Sequence, residues 1–531
     1  MNHALPAARP MRGKPRALAG RHVAPSTRAA CAIVCATTLL LAGCASFSAD
    51  GGFDAVNQTA QQRINKEARW IRSDADADSA AQRVRELLQQ DKNTKEAGLG
   101  ADDAVQIALL NNPTLQASYA ALGIAEADLV QAGRLPNPGF SFSRTHAGGD
   151  IKIDRSLSLA IMNLLTMPAA SAIEQRRFRQ TRLQLTDQML RTAAQTREAW
   201  YRAVAAEQSL HYLQQVNQAA EAAHELAAQM AQRGNFSKLD ASREQLFYAE
   251  SSAQLARARK QAGLEREALL RALGPLPGEV SGNQQPPLRL QQQLPALPPQ
   301  SAQFTSENEA EQLALDQRLD VQAARLEVSG LQDSLGLTRS TRLINVLDLG
   351  YLRNSESGKA PEIGYQVSLE IPLFDWGQAR VAKAEAIYMQ SAQKLAAAAH
   401  EARSQVRSAY LSQRSAYQVA RSYQQQIVPL RKRMSEENLL RYNGMLISVF
   451  DLLADAREQA STVSAAIEAA RDFWIADSEL QMAMGGIAPV RPVSPASTAD
   501  ATINPAQPQA SPHSTHGAHQ HVRQNPQGTQ P

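Results

Sequence analysis

The chain predicts a mainly α fold with a small β part. Long antiparallel helical hairpins in a tandem structural repeat would build a coiled-coil barrel, and four strands per chain would complete a trimeric twelve-stranded transmembrane β-barrel. Three observations point there: a heptad seam across residues 378–442, a pattern that recurs after about 210 residues, and a pair of alternating segments about ten residues long in each copy.

The seam runs through Ala399, Ala402, Val406, Ala409, Gln413, Ala416, Ala420, Tyr423, Ile427, Leu430 and Met434, on alternating steps of three and four. With alanine at five of its eleven positions, it lets partner helices approach closely, while Gln, Arg, Ser and Glu keep the other faces wet. At about 1.5 Å per residue, this stretch reaches roughly 95 Å, far more than an ordinary globular domain. The rod should end at Asn443-Gly444 and restart at Ser448-Val449-Phe450-Asp451, a Ser-x-x-acid helix start, so the chain turns back on itself. Residues 171–274 repeat the design: a helix to about Arg233, a turn at Gly234-Asn235, a Ser237-x-x-Asp240 start and a return helix ending at Gly274.

At the start of the chain, Arg9, Arg12, Lys14, Arg16, Arg21 and Arg28 come with no acid among the first 43 residues. They account for the +4 net charge, since the remainder holds 49 basic against 51 acidic residues; nothing argues for nucleic acid. With the apolar run 29–41, residues 1–43 read as a secretory signal peptide. Leu41-Ala42-Gly43-Cys44 resembles a bacterial lipobox, which implies a covalent lipid on Cys44; an ordinary signal with an inert cysteine is the alternative. Ala45 after the cysteine, by resemblance to lipoprotein sorting, favours the outer membrane. Cys31 and Cys35 would be removed with the signal, leaving no internal disulfide. No later stretch approaches 18 uninterrupted apolar residues, so any membrane crossing falls to strands.

Residues 44–100 are polar and weakly patterned, with Trp70, Val84, Leu87 and Leu88 as the only anchors, and read as a lipid-anchored tether. The first repeat spans 101–274 and the second 307–486, separated by a Pro-rich linker over 275–306. Ala108-Leu109 answers Ala314-Leu315 at a spacing of 206, and Gly274 answers Gly485 at 211. Each copy opens with a helix, 103 to about 134 and 307 to about 339. Strand candidates follow at 140–146 and 151–161, then at 344–353 and 363–373. A hairpin packed on a soluble core would show similar alternation. If instead the strands lie in lipid, open edges are not tolerated, and three chains supplying twelve strands give the simplest closure. Residues 487–531, rich in Pro, Gln, Ser and Thr, should be a disordered tail. Its His513, His516, His519 and His521 are either incidental or a weak copper, zinc or nickel site.

This architecture resembles the TolC-type outer-membrane efflux factors. The residues 104–113, AVQIALLNNP, look like that family's opening helix, 133–138, GRLPNP, like its helix-to-strand break, and 371–377, IPLFDWG, like its strand-to-helix exit. With the lipobox, the resemblance implies the lipoprotein branch, which includes heavy-metal and drug efflux outlets. It implies a homotrimer in outer-membrane lipid whose tips, at Gly234, Ser237, Asp240, Gly444 and Ser448, dock onto a periplasmic membrane-fusion adaptor and an inner-membrane pump driven by protons or ATP. It also implies a narrow periplasmic entrance lined by acids, a role carried to Asp451 and Asp455. Plain helix capping explains Asp240 and Asp451 equally well.

No Gly-x-x-x-x-Gly-Lys, Gly-x-Ser-x-Gly or His-Glu-x-x-His pattern is present, so an enzyme is not expected and transport energy would come from a partner. The competing reading is a lipid-anchored periplasmic coiled-coil adaptor or scaffold without a pore. Adaptors usually carry one hairpin, whereas this chain has two.

Overall fold

A computed structural model describes residues 46–89, 98–277, 288–299, 306–343 and 346–486. The signal peptide, Cys44 and the histidine tail lie outside them.

The first repeat runs α3 (Ala101–Asn111), α4 (Pro113–Ala132), β1 (Gly139–Ala147), β2 (Asp150–Ala160), α5 (Ile161–Gln232) and α6 (Lys238–Leu273). It is preceded by α1 (Asp54–Ile64) and α2 (Asp74–Gln89). The second runs α7 (Glu307–Gln317), α8 (Leu319–Ser340), β3 (Leu347–Glu356), β4 (Glu362–Leu369), α9 (Gln378–Ser422), a π turn (Tyr423–Ile427), α10 (Val428–Asn443) and α11 (Val449–Ala483). No described helix is long and apolar enough to cross a membrane.

The opening helix of each repeat is two helices rather than the one expected. Pro113 cannot continue α3 but suits the first turn of α4, where Asn112 caps by accepting from the Leu115 N–H at 3.1 Å. Asn112 also donates to the Ala272 carbonyl at 2.9 Å, tying the break to the last turn of α6. Arg318 occupies the matching break, donating to Gln405 at 2.8 Å and to the Ala483 carbonyl in the last turn of α11. Gly274 and Gly485 close the return helices at φ +82° and +96°, and a Cβ would stand 2.7 Å from the Asn111 carbonyl oxygen in one and 2.9 Å from that of Gln317 in the other. Glycine is therefore required twice, at equivalent points of the duplication.

The expected tether is largely folded. Phe53, Val56 and Ala60 of the α1 segment and Val84 and Leu87 of α2 are buried, and Phe53 meets Tyr119 edge-on at 4.7 Å. Arg63, at the end of α1, donates to Gln317 at 3.0 Å and to the Gly485 carbonyl, so this segment fastens the second repeat as well. Few of its apolar residues fall in a regular period, which is why it reads as polar linker.

The strands form one antiparallel sheet in the order β1-β2-β3-β4; the first hairpin lies within one residue of expectation, β3 ends three residues later than expected, and β4 stops at Leu369. β2 ends at Ala160, and α5 begins ten residues earlier than the sequence suggests, running 72 residues. Residues 371–373, expected to extend β4, leave the ladder after the Glu370 N–H has donated to the Val346 carbonyl at 3.4 Å, since Pro372 has no N–H to donate.

Along the rod, Ala402, Val406, Gln413 and Ala420 are buried as the seam requires. Just past Ala420 the helix widens into the π turn. Pro429 cannot donate to the Gln425 carbonyl, and one wider turn absorbs the mismatch. From its last residue onward the expected seam positions Ile427, Leu430 and Met434 are exposed. The largest buried cluster includes Trp200, Tyr201, Tyr417, Phe473 and Trp474. Its polar atoms reach the connecting segments: Trp200 Nε1 donates to Leu99 at 2.7 Å, Trp474 Nε1 to Pro295 at 3.0 Å and Tyr417 Oη to Pro298 at 3.0 Å.

Candidate channel wall and tip entrance

The register divides the sheet into two unlike faces. Phe140 stands opposite Leu157, Leu157 opposite Tyr351, and Tyr351 opposite Tyr365. Because side chains alternate, this row shares a face with Phe142, Leu159, Leu349, Val367 and Leu369. That apolar face is bare: Phe140 is 70% exposed, Tyr365 82% and Val367 65%. The other face carries Ser141, Ser143, Ser156, Ser158, Gln366 and Ser368. β1 and β4 are open edges, so the sheet is apolar on one side, polar on the other and unpaired at both ends.

At the opposite end of the long helices, the two tips are built alike. In the first, Asn235 N donates to the Met230 carbonyl at 3.0 Å across Gly234, whose φ is +79°. In the second, Leu446 N donates to Arg441 at 2.8 Å across Met445, whose φ is +56°. Gly444, expected to make this turn, has φ −82° and merely caps α10. Met445 thus matches Gly234, each stands three residues before its cap serine, and the apparent one-residue difference between the tips disappears. Sequence reasoning chose the glycine because a left-handed methionine is uncommon. Met445 and Leu446 are 94% and 76% exposed, an apolar pair at the tip.

Ser237 and Ser448 both cap the following helix. Asp240 N donates to Ser237 Oγ at 3.1 Å, and the Asp240 carboxylate accepts from Ser237 Oγ at 2.6 Å and pairs with Arg243 at 3.1 Å. Asp451 accepts from Ser448 N at 3.0 Å and from its Oγ at 2.8 Å, closing a capping box. Those bonds, the hydroxyl first and the backbone second, hold the Asp451 carboxyl below its usual value of 3.8. Among the described residues Asp451 makes no ion pair, so its charge remains available at the tip. Capping and an exposed charge coexist in this one residue.

Asp455 does not face outward. It is 7% exposed, turned toward Arg431 of α10 at 3.6 Å, and Arg431 also bridges Glu458. One turn beyond Asp451 along α11, it points into its own hairpin. Nearby lies a group that sequence reasoning missed. Glu244 of α6, 2% exposed, accepts from Arg457 of α11 at 3.1 Å, and the Arg457 guanidinium lies 4.3 Å from the Phe247 ring centroid. This pair joins the first hairpin to the second. One oxygen each of Glu244 and Asp455 and the Nε of Arg431 and Arg457 are buried without a hydrogen-bond partner, so the cluster is incompletely satisfied. The signal existed: Leu269, Ala262, Leu255 and Ser251 form a heptad seam on α6 that extrapolates to Glu244.

Among the described residues no group of three or more His, Cys, Asp or Glu is placed to hold a metal.

Residues 311–486 match the family described as outer membrane efflux protein. No curated protein matches the chain. Three solved structures share the fold. CusC, in a study of folding and transmembrane channel formation, is 16% identical over 74% of this chain and 94% of its own, with TM-score 0.59. The CmeC outer membrane channel of Campylobacter jejuni is 17% identical over 73% and 85%, with TM-score 0.60. The MtrE outer membrane channel of Neisseria gonorrhoeae, in its open state, is 18% identical over 73% and 89%, with TM-score 0.58.

Proposed function

We propose that this chain, whose residues 311–486 match the outer membrane efflux protein family, is the outer-membrane channel of a tripartite efflux system, a conduit that moves no cargo by its own chemistry. The observation that carries this reading is the four-stranded sheet, with a bare apolar face, a polar face and two open edges. An isolated sheet of that kind is unstable in water and incomplete in lipid. Three copies pairing edge to edge remove all six open edges, put the apolar faces in the bilayer and enclose the polar faces as a lumen. The pore-free adaptor reading has no use for this face.

The chain is a homotrimer whose helical hairpins extend into the periplasm and whose tips meet a periplasmic adaptor and an inner-membrane pump. Met445 and Leu446 offer that adaptor apolar contact. Threefold symmetry gathers one Asp451 per chain into a ring of negative charge at the entrance, which favours cations. A lipid on Cys44 anchors the start of the mature chain. Heavy-metal cations or drugs are the proposed cargo, and the tail histidines are a weak metal site at most.

The test is reconstitution of the full-length protein. Heat-resistant trimers in detergent and stepwise ion conductance in planar bilayers are expected. A monomer that leaves bilayer conductance unchanged would defeat the proposal. Metabolic labelling with palmitate, compared with Cys44→Ser, reads the anchor separately.

A further inference from the structure

The arginines and the acids of the sheet fall on opposite faces, and its one lysine, Lys152, sits with the acids beside Asp154. Its three arginines, Arg144, Arg155 and Arg353, all fall on the apolar face, while Asp154, Asp348, Glu356 and Glu362 all fall on the polar one. Arg155 and Arg353 are direct cross-strand partners. Like charges set opposite one another oppose pairing, and nothing nearby relieves them. Among the described residues, no guanidinium of the three makes a hydrogen bond or ion pair.

The row containing this pair is otherwise apolar, with Phe142 beyond Arg155 and Ile363 beyond Arg353. On β3, Arg353 lies six residues from Leu347, about 20 Å along the strand, with Leu349 and Tyr351 between. Below β4 come the exposed Phe374 and Trp376, side chains suited to a membrane border. The apolar band therefore has an aromatic lower limit, and toward the hairpin loops guanidinium groups interrupt it, Arg155 beside Arg353 in one row and Arg144 beside Ile153 in the next. Unpaired arginine is costly in hydrocarbon, and a planar guanidinium pair matches phosphate oxygens.

We propose that Arg155 and Arg353, with Arg144 one step nearer the loops, bind the phosphate groups of phosphorylated glycolipid in the outer leaflet, one site per chain. The inference rests on the channel reading, which puts the apolar face in lipid. The site neutralises the paired arginines and fixes the depth of the barrel in the bilayer.

The test uses full-length trimers in nanodiscs doped with diphosphoryl lipid A or its dephosphorylated form, with retained lipid measured by native mass spectrometry. The wild type should retain the diphosphoryl form about tenfold more than the dephosphorylated one, and Arg155→Gln/Arg353→Gln should lose that preference. Conductance of the double variant should match the wild type. Equal retention of both lipids by the wild type overturns the proposal, as does an undiminished preference in the double variant. Inorganic phosphate held at millimolar concentration by detergent-solubilised trimers, with no lipid preference, overturns the assignment to lipid. If the double variant does not assemble, the wild-type comparison decides alone. Absence of conductance in the wild type strikes the channel reading instead.

Discussion

Replacing Arg457 with Met removes the partner of a carboxylate that is 2% exposed and fastens one hairpin to the other. Breaking a fully buried pair from one side costs about 3–5 kcal/mol, because the remaining charge stays desolvated. Arg457 is 35% exposed, so water reaches its side of the pair, and about 2–3 kcal/mol is the better figure here. Loss of that energy falls on separation of the hairpins, whose opening constant should rise about 30–150-fold. Native-state hydrogen exchange of peptides covering residues 238–250 and 449–460, followed by mass spectrometry, reads this directly. Arg457→Met should accelerate exchange there by that factor and leave residues 190–205 unchanged. Combining it with Glu244→Gln, which removes the stranded charge, should recover most of the protection. Exchange at the tip within about threefold of wild type would refute the reasoning, since a tie that releases nothing when cut holds nothing.

Other expectations follow from single residues. Asp451→Asn should reduce cation preference in reversal-potential measurements, whereas Asp455→Asn should leave it unchanged because Asp455 is turned toward Arg431. Asp451 has a folded pKa below 3.8, so its cap is fully present above that value and weakens as pH falls through the folded one; exchange at residues 449–453 should rise only in that acid window. Burial, then the neighbouring Glu479, raise the Glu198 pKa above 4.5, with Arg202 opposing in part. Its protonated form is favoured by the fold, so stability declines as pH rises from 4.5 through the folded value, and Glu198→Gln should raise the melting temperature at pH 7 but not below 4.5. Trp200→Ala should cost about 3–5 kcal/mol in denaturant titrations, through loss of a fully buried ring and of the donor to Leu99.

What could be read in advance depended on how local its cause was. The alternation of Val367 and Leu369 with Gln366 and Ser368, the Ser-x-x-Asp caps and the spacing of Gly274 from Gly485 are all written within a few residues or repeated verbatim, and each was legible. The break at Arg318 was not, because neither Pro nor Gly marks it; contacts to Gln405 and Ala483, distant in sequence, hold it open. Asp455 was misplaced for a related reason. Its helical phase is local, but the direction that phase faces is set by Arg431 on the other arm of the hairpin. Met445 was hidden by the glycine beside it. The folded start of the chain, with Phe53, Val56 and Ala60 buried, carries too few apolar positions to announce itself.

The central seam of the sheet joins β2 to β3, Lys152 to Glu356 among other pairs, and these partners lie about two hundred residues apart in the chain. Neither β-hairpin alone can close any part of a membrane wall. On the channel reading, insertion into the bilayer waits until both halves of the sheet have met, and until then the exposed phenylalanines, tyrosines and leucines of each hairpin are an aggregation hazard. A chain built this way depends on being shielded during its passage, and truncation after the first repeat should yield an insoluble product rather than half a pore.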